Sequence, residues 1–208
     1  MHFRAAAIVC SVRPHGETGA IVRLLTADYG LVAGYVAGAK GRHLRPVLIP
    51  GNGVEAELNA RDPARLPSAR VELVASRAPW LSEPLPAAAI GWAAALTAAA
   101  LPERHAYPSL HAALDALLDA VCHAPSARGW TVAMIGYEAL LLRELGYGTL
   151  ADTRPDPADW AETLNAFDQL GKPLARYLLA EARADVMAAR AMLRKRLSRI
   201  GCASSFHA

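Results

Sequence analysis

Residues Ala5 to Arg45 constrain the fold more tightly than any other stretch. Three short apolar runs (Ala6-Ile8-Val9, Ile21-Val22-Leu24-Leu25 and Leu31-Val32-Tyr35-Val36) are separated by Pro14 to Gly19 and by Asp28-Tyr29-Gly30. This is turn chemistry at the spacing of an antiparallel meander, and it predicts the first three strands of a small, strongly twisted barrel. Bases recur along it without matching acids: Arg13 and Arg23 in the meander, then Lys40, Arg42 and Arg45 in one glycine-punctuated loop. A phosphate backbone suits such a pattern.

The alternation ends near Pro79, at the connector Pro79-Trp80-Leu81-Ser82-Glu83-Pro84-Leu85-Pro86. Helical periodicity follows. An alanine-rich helix is expected over Ala87 to Ala100. A second is capped by Ser109, and a third runs from Ser126 to Leu145 with Glu138 among its apolar positions. Helices resume near Asp159, pause at Gly171-Lys172-Pro173 and continue as one long helix from Leu174 to Ile200. The expected class is therefore α+β: an N-terminal β-barrel over residues 1–79, then an all-helical domain over 80–208.

With 208 residues, 53% of them apolar, the chain can bury a substantial core. No uncharged apolar stretch reaches the roughly 18 to 20 residues that span a bilayer; the nearest, Ala87 to Leu101, stops at Pro102-Glu103-Arg104. The opening residues hint at a leader, but Arg13-Pro14-His15 breaks the apolar run, which serves better as a strand. A cytoplasmic protein beginning at Met1 is expected. Cys10, Cys122 and Cys202 lie far apart and encode neither a disulfide framework nor a zinc ribbon. The net charge of +3 is modest, but bases collect in two places, the N-terminal third and the tail Arg190, Arg194, Lys195, Arg196 and Arg199.

Enzymatic chemistry finds no constellation. Ser11, Ser109 and Ser126 lack a nucleophile elbow, and Gly38-Ala39-Lys40-Gly41 falls short of a phosphate-binding P-loop. The seven histidines are scattered, and Glu55 and Glu57 alternate on a strand, a position that does not establish the burial an acid/base pair needs. No catalytic residue, metal or cofactor is expected. The basic loop is either a solvated turn or a phosphate-binding element with few core contacts, and the basic tail either complements the helix dipole or forms a second anion-binding face. Only Tyr29 and Tyr35 are expected to offer exposed aromatic surface in this region, which favours sequence-tolerant contacts to the strand backbone.

The order of motifs resembles the RecO family of bacterial DNA repair proteins. The resemblance is carried by Arg13-Pro14-His15-Gly16-Glu17, by Leu24-Leu25-Thr26 before Tyr29-Gly30-Leu31, and by Ala37-Gly38-Ala39-Lys40-Gly41-Arg42. It continues through Val54 to Leu58 and Leu66 to Leu73, and Trp130 to Gly148 is similar to the family's core helix. It implies an N-terminal OB-fold barrel followed by a helical domain. It also implies a non-enzymatic recombination mediator, nucleoid-associated, that binds single- and double-stranded DNA, anneals complementary strands and helps load RecA. Its partners would be RecR and the acidic C-terminal tail of single-strand-binding protein. Many relatives carry a four-cysteine zinc site where this chain reads Thr149 to Pro157 with no thiolate, so no metal is carried over. Candidate DNA contacts are Arg13, Arg23, Lys40, Arg42, Arg45, Arg194, Lys195 and Arg196. Arg104, Arg128 and Arg143 are candidates for a partner-binding rim, chosen by position in the helical domain. The competing expectation is a protein-interaction module built on an OB barrel that binds no nucleic acid.

Overall fold

Five strands form where the apolar alternation places them: β1 (His2–His15), β2 (Gly19–Thr26), β3 (Gly30–Val36), β4 (Gly53–Asn59) and β5 (Ser68–Ala75). The computed structural model describes residues 2–60, 62, 65–148, 155–180 and 184–203; the segment Thr149 to Arg154 of the sequence reading and the last of the seven histidines lie outside them, as does the side chain of Cys202. The strands close into a barrel in the order β1-β2-β3-β5-β4. All neighbours are antiparallel except β3 and β5, which run parallel and meet at Tyr35 and Ser68. This is an OB-type barrel, and closure of β1 onto β4 leaves that edge paired. Val9, Val22, Leu24, Val32, Val54 and Leu58 fill it.

One bulge decides which β1 residues face outward. The register with β2 slips between Val9 and Ser11, so Cys10 is the extra residue. Ala7 and Val9 point into the core before it, and Val12 joins the core after it. Without that slip the alternation would turn Arg13 and His15 inward; with it they stand outside.

The chain between β3 and β4 plugs one end of the barrel. Its amides bond three and four residues back, as in Arg45 to Gly41 and Leu48 to Leu44, each 2.9 Å, which turns Leu44, Val47 and Leu48 onto the core. The expectation that this loop holds few core contacts is thus corrected. Asn52 fixes its return: the buried side-chain amide donates to the carbonyls of Pro46 and Val47, and its oxygen accepts from the Arg77 N–H at 2.8 Å.

The helical part comprises α1 (Pro84–Ala100), α2 (Pro108–His123), α3 (Ala127–Glu144), α4 (Trp160–Pro173) and α5 (Ala184–Ala203). No further strand occurs after β5 among the described residues. The second helix starts at Pro108 rather than being capped by Ser109, because proline's fixed φ and missing N–H suit a first turn. Asp159 caps α4 by accepting from the Glu162 amide at 2.9 Å. The long helix expected over Leu174 to Ile200 does not form as one piece. Helix α4 runs through Gly171 and Pro173, and Leu174–Leu178 then makes a π-helical turn in which the Leu179 amide reaches Leu174 at 3.0 Å. Proline inside a helix lacks an N–H and crowds the carbonyl four residues back, which accounts for the widened turn.

The chain divides into two compact units, Met1–Ser82 with Leu101–Ala112, and Glu83–Ala100 with Ala113–Ala208. After α1 the backbone therefore returns to the barrel unit. The Arg104 amide donates to the Leu31 carbonyl at 2.8 Å. Gly30, at φ +67°, lies so close to the His105 carbonyl that a Cβ would stand 1.9 Å from its oxygen. Among the described residues, no helix is long and apolar enough to cross a membrane.

Candidate nucleic-acid interface

Cross-strand pairing brings the outward residues of β1, β2 and β3 into rows. Arg13 pairs with Ile21, which pairs with Tyr35; Ser11 pairs with Arg23, which pairs with Ala33. Directly paired residues share a face, so Arg13, Ile21 and Tyr35 lie abreast on the outside of the barrel. The Tyr35 ring lies over Gly19, where a Cβ would stand 2.4 Å from its hydroxyl oxygen, and it meets the His15 ring edge-on at 6.0 Å. A side chain at position 19 would displace the ring. The face thus offers one half-buried aromatic surface between exposed Arg13 and His15.

The basic loop lies beside this face. Lys40 is tied to the turn between β1 and β2: its backbone N–H donates to Thr18 and its ammonium to the carbonyls of Glu17 (2.6 Å) and Gly16 (3.4 Å). No carboxylate pairs with it among the described residues, while its position is fixed. Arg42, His43 and Arg45 are exposed, and no acid occurs between Tyr35 and Val54. Tyr29, the other expected ring, stacks on Phe3 with centroids 3.9 Å apart and belongs to the opposite end of β1.

Arg23 departs from the expectation of unmatched bases. Its guanidinium reaches Glu103 at 3.3 Å, on the segment that returns from α1. That partner lies eighty residues along the chain, beyond any local spacing rule. Cys10, beside Arg23 and Leu25, is buried; desolvation pushes its thiol up to about 12, against the Leu25 backbone hydrogen bond and the Arg23 charge.

The basic tail is also less cationic than its sequence. Arg190 is buried, its guanidinium forked on Glu138 at 3.0 and 2.7 Å and donating further to the Phe167 carbonyl. Arg194 forms a two-pronged pair with Asp168 at 2.7 and 2.8 Å. Lys195 remains exposed, while Arg196 is half-buried and touches the Met192 sulfur. Of the proposed rim, Arg104 lies in the barrel unit rather than among the helices, with its backbone at φ +60°. Arg128 donates to the Ala158 carbonyl and covers the Trp160 ring at 5.5 Å; Arg143 lies 3.9 Å from Glu144. No three histidine, cysteine, aspartate or glutamate side chains converge as a metal cluster among the described residues.

Comparison with known proteins finds matches for both parts of the chain. Residues 1–77 match the model for the N-terminal part of recombination protein O, and residues 82–152 match that for its C-terminal part. Over 149 residues the chain is 42% identical to the DNA repair protein RecO of Phenylobacterium zucineum and 44% identical to that of Caulobacter vibrioides, covering 71% of this chain and 60% of each relative. The protein of the same name from Rhodospirillum centenum is 43% identical over 71% of this chain and 58% of its own length. The chain thus spans about three fifths of the curated relatives it matches.

Proposed function

We propose, for a chain that belongs to the recombination protein O family, a role in DNA repair in which the barrel holds single strands by their phosphates. The carrying observation is the outward row of Arg13 and Tyr35 beside a loop whose Lys40, Arg42 and Arg45 face solvent with no carboxylate in the same segment. Such a surface neutralises phosphate and stacks at most one base, so it binds strands without reading their sequence. Arg42 and Arg45 carry this attraction together with Arg13. Lys40 has a second task, latching the loop to the β1–β2 turn.

Annealing of complementary strands, with binding of duplex as well, follows from the same physics. Two strands repel through their phosphates, and a cationic surface that lowers the repulsion speeds pairing with no covalent step and no nucleotide hydrolysis. RecR, the acidic tail of single-strand-binding protein and, indirectly, RecA are the proposed partners, by membership of the family. Arg128 and Arg143 are the helical-unit candidates for the tail, and Lys195 for additional phosphate.

The test compares the parent chain with the Arg42→Ala/Arg45→Ala variant on unrelated oligonucleotides at several salt concentrations. Each lost contact lowers the salt slope by about 0.7 for single strands, with no change in sequence preference. Unchanged affinity and slope in a folded variant would leave the barrel as a protein-docking module.

A further inference from the structure

The end of the barrel beneath the basic loop is not completely filled. A cavity of about 350 Å³ opens there, walled by Val12, Pro14 and Ala20 from the strands and by Ala39 and Leu48 from the plug. Lys40 and Arg45 are its two charged lining residues, and no acid lines it. Its size reaches the lower range of sites for small organic ligands, roughly 300 Å³ and upward.

We propose that this cavity takes one unstacked nucleobase of a bound single strand, with the adjoining phosphates held by Lys40 and Arg45. The inference rests on the DNA-binding reading and adds to it a site for a base. Three observations combine. The walls are apolar, so they match the flat face of a heterocycle and repel a phosphate, while the two cations match the phosphates beside it. Gly19 belongs both to the cavity wall and to the ground under Tyr35, so a strand crossing the Tyr35 ring passes the cavity mouth. The outer face, finally, offers Tyr35 and the edge-on His15 rather than the series of rings on which successive bases stack in aromatic platforms. A base next to Tyr35 that has lost its stacking neighbour gains apolar contact by entering.

The occupant is a base from a single strand rather than from a duplex. Removing a base from a single strand forfeits stacking alone, whereas a paired base also gives up its partner. The walls present few hydrogen-bonding side chains, so bases are sorted by fit rather than by pattern.

The experiment uses an oligonucleotide carrying 2-aminopurine flanked by purines, whose emission rises when the base leaves the stack, with a fluorophore at one end to report binding by anisotropy. The proteins are the parent, Ala39→Met and Ala20→Val, the two variants filling the cavity from opposite walls; valine also suits a strand position. Expected is a rise in 2-aminopurine emission on binding to the parent. The filled variants should lose that rise and bind about fivefold or more weakly, at an unchanged salt slope. Circular dichroism identifies whichever variant is folded. Normal anisotropy binding with no emission change in the parent overturns the base site and leaves the DNA reading intact. No anisotropy change at all defeats the DNA reading itself. An acidic peptide ending in an aromatic residue with a free carboxylate, bound by the parent and lost in the filled variants, would assign the cavity to a protein partner instead.

Discussion

Arg190 and Glu138 form a forked pair inside the helical unit, with Nε to Oε1 at 3.0 Å and Nη2 to Oε2 at 2.7 Å, and both side chains almost fully buried. The Trp92 indole N–H donates to the same Oε1 at 2.7 Å, and the Arg190 guanidinium lies 3.9 Å from the centroid of the Phe167 ring. The network therefore links α1, α3, α4 and α5. Burial pushes the Glu138 carboxyl up, and Arg190 and Trp92 pull against it. Removing one partner strands the other, so Glu138→Leu or Arg190→Met alone should cost about 3 to 5 kcal/mol in urea unfolding. The double variant replaces both charges with apolar groups and should recover much of that loss. A double variant as unstable as the sum of the singles would show that the pair is not the unit that matters.

If the barrel holds a strand as proposed, Glu103 would compete with it for Arg23. At 3.3 Å and only partly exposed, the pair engages the guanidinium of a residue that lies in register with Ser11 and Ala33. Glu103→Gln should steepen the salt slope of single-strand binding by up to about 0.7 and tighten binding at low salt. Stability should change by no more than about 1 kcal/mol, as for partly exposed ion pairs. An unchanged slope would remove Arg23 from the interface.

Cys10 should be chemically silent while the barrel is folded. With its thiol pushed up to about 12, the thiolate fraction at pH 8 is roughly one in ten thousand. Iodoacetamide with mass spectrometry should leave it unmodified until guanidinium is added. The linkage has a definite sign. The unfolded thiol ionises near 9.0 and the folded one near 12, so this contribution to stability is complete below pH 9 and is lost as the pH rises through that window. Cys10→Ala should show a flatter decline of stability across it, and an identical decline would place the titration elsewhere.

The sequence announces what is periodic and conceals what is singular. Alternation in Ile21 to Leu25 and Leu31 to Val36, and helical spacing in Leu110 to Val121, is a repeated local signal, and these elements form where it falls. A one-residue slip at Cys10 leaves no such signal, yet it decides that Arg13 and His15 face outward. Glu103 and Arg23, and Glu138 and Arg190, pair across 80 and 52 residues, distances at which spacing carries no information. Charge counted along the chain therefore overstated the tail: two of its bases, Arg190 and Arg194, are held by acids from other helices. The exposed loop bases were legible because local turn chemistry alone puts them at the surface.

Two helical glycines that look alike in the sequence should respond oppositely to alanine. At Gly171 in α4, a Cβ would stand 2.8 Å from Nη1 of Arg190. An arginine end can ordinarily swing aside, but this one is fixed by Glu138 and the Phe167 carbonyl, so the strain falls on the buried network. Gly171→Ala should cost about 1 to 3 kcal/mol, the usual range for overpacking. Gly136 is exposed inside α3, and its Cβ position meets nothing within 4 Å. Alanine there relieves the entropy cost of glycine in a helix and should add about 0.5 to 1 kcal/mol. Urea midpoints of the two variants, read by circular dichroism at 222 nm, should move in opposite directions from the parent. Gly171→Ala in the Arg190→Met background should lose most of its penalty, because the obstructing guanidinium is gone. A penalty that persists there would place the strain in α4 itself and not in the contact with Arg190.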